Sequence, residues 1–164
     1  MSPRRGGWLI FATLLVAMLA SVMHLPASVP DWAGHLRPDW IVAVLFYWSF
    51  AASDRTGLVE AWLLGFVVDV LVGDPLGLNG ACMAGAVFSG HVLHERIRLY
   101  SVLQRAGVAL VVLLLAALVR EVARVLALGT TPSLWFLAAP GVTALLFPLL
   151  ALALAALRRR FPVR

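Results

Sequence analysis

Residues 37–77 read RPDWIVAVLFYWSFAASDRTGLVEAWLLGFVVDVLVGDPLG. The stretch sets a dense polar and aromatic vocabulary between two apolar runs of near-membrane length. It opens Arg37-Pro38-Asp39-Trp40, passes Tyr47-Trp48 and Asp54-Arg55, and carries Asp69 before the Gly73-Asp74-Pro75-Leu76-Gly77 turn. Elsewhere, most residues are apolar and exchangeable for other apolar residues.

Working outward, the whole chain is 62% hydrophobic and 13% charged, with a mean hydropathy of +0.96. A soluble domain keeps about a quarter of its residues charged, so the solvent of this chain is mostly lipid. The net charge of +5 comes from basic residues that are all arginine, set in short clusters between apolar runs. That arrangement is an orientation signal, not a nucleic-acid surface, which would interleave aromatics with a basic patch. Cys82 is the single cysteine, so an intrachain disulfide is excluded. Nothing resembles a phosphate loop or a nucleophile elbow. The sequence therefore implies no enzyme, no cofactor and no metal. His91, His94 and Glu95 have a spacing that a metal could use, but they fall at a helix end where polar residues belong.

Six spans are predicted in one integral membrane domain covering 1–164: about 8–25, 38–53, 58–73, 78–94, 106–128 and 134–157. The first reads as an uncleaved anchor, because no clean cleavage motif follows Ala20. A loop holding Pro26, Pro30, Asp31, Trp32, Gly34 and His35 separates it from the second span, which is short for a crossing of about 20 residues. Pro140 and Pro148 are expected to kink the sixth. With a cytoplasmic N-terminus, the inner side holds Arg4, Arg5, Arg55, Arg96, Arg98, Arg105, Arg158, Arg159, Arg160 and Arg164. That bias puts both termini in the cytoplasm. The fold class is all-α and polytopic.

Ionisable residues inside spans are functional candidates. Asp69 has Gly65 and Gly73 at i−4 and i+4, which puts all three on one helix face. It reads either as a proton or ion relay or as a structural carboxylate fixing helix packing. Glu60 lies on the other side, within reach of water or Arg55. Gly77, Ala81, Gly85 and Ser89 form a small-residue ladder, suited to close packing on the third span or to a partner helix. Arg120 and Arg124 share a face, with Glu121 able to pair with Arg124; the choice lies between snorkelling to headgroups and a buried pair. Trp40, Tyr47 and Trp48 recur on one face, for packing or for a partner.

Arg37-Pro38-Asp39-Trp40, Tyr47-Trp48, Arg55, Gly65, Asp69, Gly73 and Leu76-Gly77, in this order and spacing, resemble the core pattern of the MreD family of bacterial rod shape-determining membrane proteins. The motif stretch covers about 37–80; beyond it the resemblance is one of hydropathy. It implies a non-enzymatic scaffold of the cell-elongation complex in the inner membrane, involved in peptidoglycan synthesis and cell shape. The implied partner is an MreC-like single-span protein, and through it MreB, RodA and a class B penicillin-binding transpeptidase, with membrane lipid around the chain. The family also resembles in fold the substrate-binding subunit of energy-coupling-factor transporters. This supplies the rival reading, a small-molecule transporter subunit, whose polar groups would converge near the midplane; here only Asp69 and Asn79 present themselves. Fold analogy alone does not choose between the two.

Overall fold

The computed structural model describes residues 7–22, 34 and 36–160. Among the described residues all regular structure is helical: α1 Gly7–Val22, α2 Trp40–Ala51, α3 Leu58–Val72, α4 Leu78–Leu99, α5 Val102–Leu128 and α6 Ala138–Arg160, with single 3-10 turns at Ser53–Arg55 and Leu134–Leu137. Arg4, Arg5, Arg164 and the loop residues Pro26, Pro30, Asp31, Trp32 and His35 lie outside the described residues.

The centre is α2. Every residue from Ile41 to Ala51 is buried, as a helix apolar all round requires. It packs against α1, α4, α5 and α6. Its 12 residues make a rod of about 18 Å, shorter than its neighbours. The aromatic residues fill the middle of the molecule: Trp48 is fully buried and its Nε1 donates to Thr13 Oγ1 of α1 at 3.0 Å. Tyr47 meets Trp48 and Phe50 edge-on, with ring centroids 5.4 Å apart in both cases.

α5, at 27 residues, and the segment 134–160 are long and apolar enough to cross a membrane. Their outward faces carry Val111, Leu115, Leu145 and Leu149, all well exposed, as are Val59, Leu63, Val70 and Leu71 on α3. A continuous apolar exterior of this kind suits lipid and would associate in water.

The α3–α4 pair makes the most extensive helix contact. Gly65 is the reason it can: a Cβ there would sit 2.4 Å from both N and Cα of Gly80. The turn between them reverses the chain with Gly73 at φ +79° and Gly77 at φ +89°, a left-handed backbone that glycine adopts without a Cβ clash. On the α2–α4 side, Gly90 receives Ser49, whose Oγ lies 1.6 Å from where a Cβ would stand.

Two expectations need correction. The small-residue ladder does not pack inside: Ala81 and Gly85 face outward, and Gly85 has open space where a Cβ would go. The inner glycines of α4 are Gly80 and Gly90 instead. The boundaries near residue 100 also differ from the predicted spans. α4 runs on to Leu99 and α5 starts at Val102, because Ser101 and Gln104 form a capping box, Ser101 N–H donating to Gln104 Oε1 at 2.9 Å. Arg105 then donates to the carbonyls of Ile97, Arg98 and Tyr100, closing the C-terminus of α4. Pro140 falls in the first turn of α6, where a missing N–H costs little; Pro148 is inside the helix.

Candidate functional site: a charged network at the Gly73–Gly77 end

Asp69 is fully buried in the last turn of α3. Its partners are on the helix that follows. Oδ2 accepts from Gly77 N at 2.8 Å, and Oδ1 accepts from Asn79 N at 2.9 Å and Asn79 Nδ2 at 2.8 Å. The first backbone N–H groups of a helix have no partner within it. Asp69 supplies one from the preceding helix and places negative charge at the positive end of α4. The Asp69 carboxylate is thus a cap reaching across the turn, and the Asp69 backbone carbonyl closes α3 by accepting from Gly73 N at 2.8 Å.

The cap extends into a chain. Asn79 Nδ2 also donates to Asp74 Oδ2 at 3.1 Å. Asp74 in turn takes a two-pronged ion pair from α5: Arg124 Nε to Oδ1 at 3.0 Å and Nη2 to Oδ2 at 2.9 Å. Burial would raise the Asp74 carboxyl, but the hydrogen bond and charge of Arg124, the Asn79 amide and the field of Arg120 outweigh it. They hold Asp74 below the ordinary aspartate value of 3.8. Paired forks of this kind are geometrically specific.

One turn back on the same face of α5, Arg120 Nη2 pairs with Asp39 Oδ2. Asp39 stands at the N-cap position of α2, yet its side chain makes no capping bond; the arginine takes it. Its backbone N–H donates to Thr143 Oγ1 at 2.8 Å, and that hydroxyl donates to Ala139 O at 2.6 Å. One face of α5 therefore staples the α3–α4 turn through Arg124 and the α2–α6 contact through Arg120. Both arginines point inward to protein partners. Glu121 does not pair with Arg124; its Oε1 accepts from Ser133 N at 3.0 Å. Arg37 Nη2 donates to Ala20 O at 2.9 Å, near the C-terminus of α1.

These groups surround a cavity of about 310 Å³, lined by Arg37, Asp39, Asp74, Arg120, Glu121 and Arg124, with Ser21 and Asn79 also on its wall. Of the residues singled out by sequence, Arg37, Pro38, Asp39, Asp74, Asn79, Arg120, Glu121 and Arg124 meet here, and Asp69 touches the cavity through Asn79. Trp40, Tyr47 and Trp48 lie along α2 away from it, the last two in the core. Gly65, Gly73 and Gly77 shape the α3–α4 pair. Arg55 is in the 3-10 turn at the opposite end. There Glu60 accepts from Gly57 N at 2.7 Å, His91 Nε2 lies 3.2 Å from Thr56 Oγ1, and His94 Nδ1 lies 2.8 Å from His91 O. Thr143 and Ser21 went unnoticed in the sequence, since a hydroxyl in an apolar run carries no positional signal of its own.

The profile of the rod shape-determining protein MreD family matches residues 3–126. A curated relative, the rod shape-determining protein MreD of Haemophilus influenzae, is 30% identical over 78 residues, covering 48% of this chain and 48% of the relative. The chain thus spans about half the length of the relative it matches. No solved structure matches. The matched region contains α1 to α4, the Asp69 cap and Arg120 and Arg124 of α5, and the chain belongs to the MreD family of rod shape-determining proteins.

Proposed function

We propose that this protein is a non-enzymatic, multi-pass scaffold of the cell-elongation complex in the bacterial inner membrane. All six helices cross the bilayer in this reading, with both ends of the chain on the cytoplasmic side. It docks an MreC-like single-span protein and, through it, helps position MreB, RodA and a class B penicillin-binding transpeptidase. Membership of a rod shape-determining family supports the cell-shape role. One observation supports docking in particular. The ladder Ala81, Gly85 and Ser89 of α4 faces away from the other helices, and Gly85 has nothing within 4 Å of its Cβ position. Phe88 and Val92, both more than half exposed, flank it. Small residues between larger apolar ones let a second membrane helix approach closely.

Gly85→Leu tests this, with Gly107→Leu as control, since Gly107 is equally open. Both variants accumulate in membranes. The scaffold reading expects round cells and loss of the co-purifying single-span protein only for Gly85→Leu. Rod shape and full partner recovery in that variant would overturn docking on this face.

A further inference from the structure

Among the described residues, two buried side-chain polar atoms have no hydrogen-bond partner: Ser21 Oγ and Arg120 Nε. Both residues line the same 310 Å³ cavity. Buried polar groups are nearly always satisfied, and each one that is not calls for an explanation, a water, an ion or a ligand among them. The Arg120 guanidinium also interacts with the Cys82 thiol, a weak acceptor that makes no hydrogen bond to Nε. A cavity of this size lies at the small end of small-molecule pockets and exceeds the space of one bridging water about tenfold.

The charges on its wall identify the occupant. Among the described residues three arginines and three carboxylates line it, so the described wall is neutral. Four of the six are consumed in the Asp39–Arg120 and Asp74–Arg124 bridges. The remaining two are Arg37 and Glu121, of opposite sign. Each is held through one atom by a backbone group, Arg37 by Ala20 O and Glu121 by Ser133 N, and among the described residues neither is in an ion pair. A wall that leaves one cation and one anion uncommitted, with free donors on Arg120 and Ser21, is complementary to a small zwitterion. An anionic group satisfies Arg37, Arg120 Nε and Ser21; an ammonium meets Glu121.

We propose that this cavity binds a small zwitterion carrying a phosphate or carboxylate beside an ammonium. The headgroup of a zwitterionic phospholipid and a free soluble zwitterion share that chemistry. The site is independent of the α4 ladder and of the scaffold reading.

The full chain in mild detergent is titrated with dioleoyl phosphatidylethanolamine, dioleoyl phosphatidylglycerol and O-phosphoethanolamine, and bound ligand is counted by native mass spectrometry. The proposal expects one saturable adduct with an ethanolamine ligand, at least tenfold tighter than phosphatidylglycerol. Equal affinity for the lipid and for O-phosphoethanolamine assigns a soluble zwitterion; binding of the lipid alone assigns a bilayer source. Ser21→Leu, which fills the cavity without touching either ion pair, weakens the adduct tenfold or more. Glu121→Gln abolishes the preference over phosphatidylglycerol. Equal retention of the two lipids by the wild-type chain with no saturable O-phosphoethanolamine binding, or an unchanged adduct in folded Ser21→Leu, would overturn it.

Discussion

Replacing Asp69 by leucine removes the acceptor for three hydrogen bonds, from Gly77 N, Asn79 N and Asn79 Nδ2. All three donors sit where α4 begins, and Asn79 is buried. A buried donor left unsatisfied costs about 1–3 kcal/mol, so three cost about 3–9 kcal/mol if they add. They share one turn and relax together, and leucine no longer buries a charge, which offsets part of the loss. The net cost is therefore on the order of 3–5 kcal/mol. Asp69→Asn keeps an oxygen for the two Asn79 donors but turns an amide N–H toward Gly77 N, which leaves about 1–3 kcal/mol. Unfolding in increasing SDS mole fraction, followed by the fluorescence of the 6 tryptophans, ranks wild type above Asp69→Asn above Asp69→Leu. Val70→Leu, on a residue 62% exposed to the surroundings, stays at the wild-type midpoint. If Asp69→Leu unfolds with Val70→Leu, the cap is not what the carboxylate is for, and a relay role gains the ground it loses.

Three further outcomes follow from the same contacts. Gly65→Ala destabilises the chain by about 1–3 kcal/mol, because its Cβ meets the Gly80 backbone and backbone cannot step aside; Gly85→Ala, in open space, leaves the same SDS midpoint unchanged or slightly raised. Gly90→Ala is destabilising through its clash with Ser49 and is rescued by adding Ser49→Gly, a coupling that a double-mutant cycle on the SDS midpoint reads directly. The Asp74 carboxyl is held below 3.8, so its stabilisation is complete above that value and is lost as pH falls through the lower folded-state value. Midpoints measured from pH 6 to pH 2 fall more steeply in wild type than in Arg124→Gln, which lacks the partner that sets the shift.

The helical class and the places of the six helices were legible in the sequence, because apolar runs broken by arginine clusters and glycine turns leave little choice. Burial of α2 was legible only in part. The run from Trp40 to Ala51 is apolar on every side, which fits a lipid-bathed helix and a central one equally, and only tertiary contacts separate them. The ladder shows a second limit. Gly77, Ala81, Gly85 and Ser89 share a face by spacing, but spacing does not say which neighbour that face meets. Gly80 and Gly90, ten residues apart and so about 80° off one another in projection, form no ladder and gave no signal, though they make the closest approaches. Asp69 stood out in the sequence as a carboxylate in an apolar run with glycines at i−4 and i+4, but its cap on α4 depends on a turn geometry that Gly73 and Gly77 only hint at. The inward aim of Arg120 and Arg124 was open between headgroups and buried partners, since their acceptors, Asp39 and Asp74, are 81 and 50 residues away.

The scaffold reading is tested most directly by affinity capture of the full chain from native membranes in mild detergent, with mass spectrometry of the proteins that come with it. An MreC-like single-span protein is expected to come with it together with the wall-elongation enzymes, all lost in Gly85→Leu. Recovery of an ATPase pair with no wall proteins would contradict the scaffold reading and make the chain a transporter subunit.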